Sequence, residues 1–167
     1  MCGIAGIFKK ENASFGVAEA LFAEQHRGQD SAGIVSWDKE GLHSHFGLGL
    51  VKDTFSQEKL KSLPGSMAIG HVRYPTQGPV SLCNCQPHIF SMDGKPIFAL
   101  ASNGDITNLP ELIEEIEKEG FALEGDNDAE VMAKFVGMVA FRRNKGLVEA
   151  MYLLMEKALG AFSAVLM

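Results

Sequence analysis

The chain opens on a short apolar run, Gly3-Ile4-Ala5-Gly6-Ile7-Phe8, closed by Lys9-Lys10. A run of that length suits a buried strand. We expect residues 2–8 to form a central strand that holds the Cys2 sulfur at the edge of a sheet. Ser14 is the candidate cap of a helix over residues 15–26, with Ala18, Leu21 and Phe22 at helical spacing. The polar stretch His26 to Gly33 leads into a strand over 34–37, and Asp38 to Gly41 reads as a turn. A further strand is expected to about Leu50, a short helix over 54–62, and a strand over 66–73 that ends at Arg73. Residues 74–88 read as a long loop with Pro75, Gly78, Pro79 and Pro87, followed by an apolar strand over 95–102.

The second half changes period. Asn108 with Glu111 three residues on has the form of a capping box. The helix it opens presents Leu112, Ile113 and Ile116, and Gly120 supplies the stop. A helix near 128–141 should bury Val131, Met132, Phe135 and Val139, and one near 145–158 should bury Leu147, Met151, Leu154 and Met155. Gly160 to Met167 reads as a last strand. A final apolar strand wants a partner, so the single domain over 1–167 is expected to be incomplete at its C-terminus.

Composition narrows the class. Hydrophobic residues make up 46% of 167, enough for a packed core. The 15 basic and 21 acidic residues give a net charge of −6, which argues against a nucleic-acid footprint. No apolar run approaches the ~20 residues of a membrane span. The first apolar run precedes its charges, the reverse of a secretory signal. Three cysteines, Cys2, Cys83 and Cys85, form no disulfide framework and point to a reducing, cytoplasmic setting.

Several polar groups suit the handling of an amide. Only Met1 precedes Cys2. Removing it leaves one residue with a thiol nucleophile and a free amine, whose ordinary pKa of about 7.7–8.0 suits a base. Glycines beside Cys2 let a substrate backbone approach. Arg73 can fork onto a carboxylate. An Asn amide with a Gly N–H, as at Asn103-Gly104, can cradle an oxyanion. Asp126 and Asp128 stand at a predicted helix start, where one should cap and the other can meet an ammonium group. Taken singly, each has an ordinary explanation: a buried cysteine, a surface arginine, a hairpin turn, a helix cap.

Taken in order, they resemble a family. Met1-Cys2-Gly3-Ile4, His26 to Gly33, Gly70-His71-Val72-Arg73-Tyr74-Pro75-Thr76-Gln77-Gly78, Asn84-Cys85-Gln86-Pro87-His88 and Asn103 to Asn108 look like the motifs of the class II glutamine amidotransferases. These are N-terminal-nucleophile hydrolases, and the resemblance is strongest to the glutaminase domain of the amidophosphoribosyltransferases of purine synthesis. It covers nearly the whole chain. It implies an α+β fold, a four-layer α/β/β/α sandwich of two stacked antiparallel sheets, here lacking its last strands. It implies hydrolysis of L-glutamine through a thioester on Cys2, with ammonia passed to a synthase domain or subunit, and no cofactor. It makes Cys2 the nucleophile, and Asn103 and Gly104 the oxyanion hole. Arg73 would clamp the α-carboxylate, Thr76 would lie in the closing loop, and Asp128 would hold the α-amine. Arg27 and Gly28 would lie beside the nucleophile's amine. The family usually carries His before the Asn-Gly pair, where this chain has Ser102.

Other readings stay open on the residues alone. Cys83, Cys85, His71 and His88 could ligate zinc or an iron–sulfur cluster, although Cys-x-Cys is tighter than the usual Cys-x₂-Cys. The chain could also be a non-catalytic glutamine-binding module, or the glutaminase part of a glutamate synthase-like enzyme. Assembly into a homo-oligomer is open.

Overall fold

The computed structural model describes residues 1–74, 80–125 and 127–167. Among these residues, seven strands form two antiparallel sheets. The first contains β1 (Gly3–Phe8), β2 (Ser31–Asp38), β3 (Gly41–Leu48) and β4 (Met67–Arg73), in the order β1-β4-β2-β3. The second contains β5 (His88–Met92), β6 (Lys95–Ile106) and β7 (Gly160–Leu166), in that order. The helices are α1 (Ala13–Ala23), α2 (Val51–Thr54), α3 (Gln57–Lys61), α4 (Leu109–Lys118), α5 (Asp128–Gly137) and α6 (Leu147–Lys157).

Three apolar clusters define four layers. Val17 and Leu21 of α1 and Leu60 of α3 pack on Ile34, Ala68 and Val72 of the first sheet. Val35 and Ile69 of that sheet meet Ala99 and Ala101 of the second. The opposite face of the second sheet, with Phe98, Leu100 and Ile106, packs on Ile116, Phe135 and Leu154 of α4, α5 and α6. Each sheet is therefore covered on both faces, giving the α/β/β/α sandwich. Alternation along β6 follows from this: Ala99 and Ala101 face the first sheet, while Phe98 and Leu100 face the helices.

The same layering explains several departures from the sequence reading. Among the described residues β1 pairs only with β4, so it is an edge strand rather than a central one. Its apolar run is only partly covered: Ala5 and Ile7 pack toward α1 and Ile4 toward the second sheet, while Gly6 and Phe8 are exposed. Ser14 does not cap α1. It sits inside the helix, buried, and donates to the carbonyls of Leu63 (2.8 Å) and Leu60 (3.3 Å). Exposure along the row Ser14, Ala18, Phe22 rises from 0% to 7% to 59%, so this row drifts off the buried face and leaves Phe22 outside, while Leu21 beside it stays in the core. Met155 is likewise exposed on α6.

Strand β5 lies where the sequence suggested a loop and a gap, and β6 runs on through Asn103-Gly104 instead of turning there. A ladder to β7, pairing Asn103 with Ser163 and Gly104 with Phe162, keeps that segment extended. The expected helix over 54–62 is two short ones, the second capped by Ser56, whose Oγ accepts from the Lys59 N–H at 3.3 Å. The capping box at Asn108 does not form. Its side chain donates to the Lys157 carbonyl (3.0 Å) and accepts from the Leu159 N–H (2.8 Å), tying α4 to the end of α6. Among the described residues no helix is long and apolar enough to cross a membrane.

Candidate active site

Cys2 stands just before β1, and the register pairing Gly3 with Val72 sets it beside the end of β4. Its Sγ lies 3.4 Å from the Tyr74 N–H and 3.6 Å from the Tyr74 carbonyl. The Cys2 carbonyl accepts from Arg27 Nε at 2.9 Å. Gly28 lies against the β4 main chain: a Cβ there would come within 2.6 Å of the Val72 carbonyl and of Arg73. Only glycine allows that approach, so Arg27 and Gly28 lie against the main chain on either side of Cys2.

Asn103 comes from the other sheet. The Cys2 N–H donates to its Oδ1 at 2.9 Å. A backbone N–H can only donate, so the amide oxygen must face it and the Nδ2 donors turn away. Gly104 follows, pressed against the Ala161 carbonyl of β7 where a side chain would not fit.

The charged groups arrive from two further elements. Arg73 is the last residue of β4 and is buried. Asp128 is the first residue of α5. The expected competition between Asp126 and Asp128 for the cap is resolved otherwise: Asn127 caps α5, its Oδ1 accepting from the Glu130 N–H at 3.1 Å. Asp126 lies outside the described residues. With Asn127 as cap, the Asp128 carboxylate is left for other work. Asn127 is held in turn, accepting from His88 Nε2 (3.0 Å) and donating to Asn84 Oδ1 (2.9 Å). Glu130 completes this wall, its carboxylate accepting from the Glu124 and Gly125 N–H groups, each at 2.6 Å.

Cys2, Arg73, Gly104 and Asp128 line one small pocket, walled by Tyr74, Gln86, Ser102 and Asn127. Five of the eight residues assigned to the site from sequence thus meet around Cys2, counting Asn103 through its bond to the Cys2 N–H. Arg27 and Gly28 brace this group from behind, and Thr76 lies outside the described residues. Sequence reasoning assigned no role to Gln86, Asn127 or Tyr74. Gln86 belongs to a quoted motif, but what singles it out is spatial: its Oε1 accepts from the Ser102 N–H at 2.7 Å.

Burial shapes the electrostatics. It pushes the Cys2 thiol above its ordinary value, opposed by the Tyr74 main chain, the positive N-terminus and Arg73, and reinforced by Asp128. It raises Asp128 to about 6, helped by the Asp105 charge and opposed by backbone N–H groups and Arg73. It lowers His88 to about 4 and His71 to about 3, so both imidazoles are neutral at pH 7. His71 is buried, and among the described residues neither ring nitrogen has a hydrogen-bond partner; the nearby Ser102 main chain is outside that geometry.

The metal reading needs Cys83, Cys85, His71 and His88 to converge. Cys83 is exposed, with Sγ 3.0 Å from Ser81 Oγ, while Cys85 is buried and donates to the Ser81 carbonyl at 3.6 Å. His88 is taken by Asn127. Among the described residues no group of three His, Cys, Asp or Glu side chains is arranged to hold a metal ion.

No protein-family model matches the chain. The amidophosphoribosyltransferase of Methanocaldococcus jannaschii is 38% identical over 169 residues, covering 100% of this chain and 36% of the relative. That of Lacticaseibacillus casei is 39% identical over 136 residues, covering 81% of this chain and 70% of the relative. Among solved structures, the glutamine phosphoribosylpyrophosphate amidotransferase of Bacillus subtilis, complexed with ADP and GMP, superposes with a TM-score of 0.85 at 32% identity. That match covers 100% of this chain and 35% of the solved one. The chain thus spans about a third of the length of the Methanocaldococcus jannaschii relative. The sandwich is that of the N-terminal-nucleophile glutamine amidotransferases, and by sequence and fold alike this chain belongs to the amidophosphoribosyltransferase family.

Proposed function

We infer that this chain hydrolyses the side-chain amide of L-glutamine with Cys2 as nucleophile. The observation that carries the reading is the Cys2–Asn103 bond beside a pocket that holds both Arg73 and Asp128. Free glutamine has an α-carboxylate, an α-ammonium and an amide at the far end. An arginine, a carboxylate and a thiol with an amide donor form its complement.

Burial holds the thiol protonated, so it needs a base. The amine of Cys2, freed by loss of Met1, takes the thiol proton, and the thiolate attacks the amide carbon. The developing oxyanion meets the Nδ2 donors of Asn103 and the Gly104 N–H. The amine then returns the proton to the departing nitrogen, which leaves as ammonia. Water attacks the resulting thioester, and glutamate leaves as the thiol is restored. Arg73 and Asp128 fix the substrate at its two α-groups throughout, which converts binding into orientation. Thr76 belongs to the same reading as a residue of the closing loop.

The ammonia would pass to a synthase portion of a longer protein or a partner subunit. The name of the Bacillus subtilis neighbour supports phosphoribosyl pyrophosphate as the acceptor. The test is direct: protein freed of Met1 should release glutamate and ammonia from glutamine, and Cys2→Ser should lose that activity by orders of magnitude, because a hydroxyl ionises far less than a thiol. Wild-type rates in Cys2→Ser would remove Cys2 from the chemistry.

A further inference from the structure

Gln86 and Asn103 are oriented by the same rule. Asn103 gives its oxygen to the Cys2 N–H, and Gln86 gives its oxygen to the Ser102 N–H at 2.7 Å. In each carboxamide the two N–H donors then lie on the other side. Gln86 is buried, yet its Nε2 donates to no group among the described residues. A donor held in a pocket wall with no protein partner is open to a ligand there.

Its position is built rather than incidental. β5 pairs with β6 only from His88, opposite Leu100, so the Ser102 N–H lies beyond the last β5 partner. Gln86 Oε1 takes that vacant place in the ladder. The Gln86 carbonyl rests against Gly33, where no side chain would fit. Both contacts fix the residue in the pocket wall shared with Arg73 and Gly104.

An N–H group can serve only an acceptor. The substrate has two, the amide oxygen and the α-carboxylate. The amide oxygen belongs beside Cys2 and Asn103. Arg73 and Gln86 line the same pocket and reach it over one stretch of β2: Arg73 pairs with Ser31, and the Gln86 carbonyl rests on Gly33 two residues on. Gln86 therefore stands beside Arg73 in that wall. We propose that Gln86 is a substrate-binding residue whose Nε2 donates to the α-carboxylate of the amino-acid substrate, beside Arg73. This rests on the glutamine reading above and adds a second donor to its carboxylate subsite.

Gln86→Glu tests it. The variant keeps an oxygen for the Ser102 N–H and replaces the donor by a repelling oxygen. Binding is measured by calorimetry on Cys2→Ser protein freed of Met1, which requires no turnover, with L-glutamine and with its α-carboxamide analogue. Adding Gln86→Glu should weaken glutamine roughly tenfold to a hundredfold, the range of a charge-assisted hydrogen bond. The neutral analogue should bind with little change, so discrimination between the two collapses. Unchanged glutamine affinity, or equal weakening of both compounds, overturns the proposal, since a purely structural role predicts the latter. Glutaminase assays on protein with Cys2 intact test the parent reading separately. Absent turnover with intact discrimination would sink hydrolysis and leave the Gln86 assignment standing.

Discussion

The Cys2 N–H donates to Asn103 Oδ1 at 2.9 Å across 101 positions of sequence. This bond joins the two sheets at the candidate nucleophile and decides which way the Asn103 amide points. With the oxygen turned to Cys2, both Nδ2 donors are free for an oxyanion. Asn103→Ala should therefore lower kcat by about a hundredfold, near 3 kcal/mol, with KM changed little, because the donor acts mainly in the transition state. Steady-state kinetics read this directly. A large KM effect at intact kcat would place Asn103 in ground-state binding instead.

Arg73→Lys keeps the positive charge and loses the planar fork. Glutamine binding should weaken by about 1.5–3 kcal/mol, the span of a hydrogen bond to a charged group. The thermal midpoint checks whether the buried arginine was removed without damage to β4. Undiminished glutamine affinity in the lysine variant would detach Arg73 from the substrate.

Asp128 carries a signed pH prediction. With its carboxyl raised to about 6, it must ionise to hold an ammonium group. KM for glutamine should rise as pH falls below about 6, approaching tenfold per unit. The groups that set this titration are Asp105 on β6, Arg73 on β4 and the N–H donors at the head of α5. Stability runs the opposite way. A carboxyl raised above its unfolded value stabilises the fold below that value and loses this as pH rises through about 6. Asp128→Asn should therefore raise the thermal midpoint at pH 7 while abolishing tight glutamine binding, and the gain should vanish near pH 4. A variant less stable than wild type at pH 7 would contradict the burial argument.

Asn127→Ala should be costly. It removes the cap of α5 and takes from His88 the acceptor it meets. We expect a loss of about 2–3 kcal/mol in chemical denaturation, from a cap and an unpaired buried group together. Asn127→Asp keeps the cap oxygen and should recover part of it. Equal stability of Asn127→Ala and wild type would make this network decorative.

Retained Met1 should silence the enzyme. It converts the Cys2 amine into an amide, which cannot take a proton near neutrality. Aminopeptidase treatment should switch activity on, with a rise on the alkaline side near the amine pKa of about 7.7–8.0. A cysteine-directed glutamine analogue should then label Cys2. Full activity in protein whose Met1 is confirmed by mass spectrometry would refute the amine as base, and labelling at Cys83 or Cys85 would move the nucleophile to the loop.

Much of this was present in the chain as written. Apolar runs marked the strands at the N-terminus, at 67–73 and after Gly160, and period 3.6 marked α4, α5 and α6. Those signals are local, since each element must hide a face that its own residues define. Cys2, Arg73, Asn103-Gly104 and Asp128 were legible as chemical types in an order that resembles a family. Four things were decided only in three dimensions. β1 is an edge strand, because an apolar run records the residues of one segment and not how many strands pair with it. Asn127, rather than an aspartate, caps α5, because Oδ1 of Asn127 meets both the Glu130 N–H and His88. Asn103-Gly104 runs straight, because β7, more than 50 residues on, supplies the ladder that keeps it from turning. Gln86 faces the pocket because β5 stops short of Ser102 and leaves an N–H to be satisfied. Each depends on a hydrogen bond between distant segments, and periodicity along one segment carries no record of its partner.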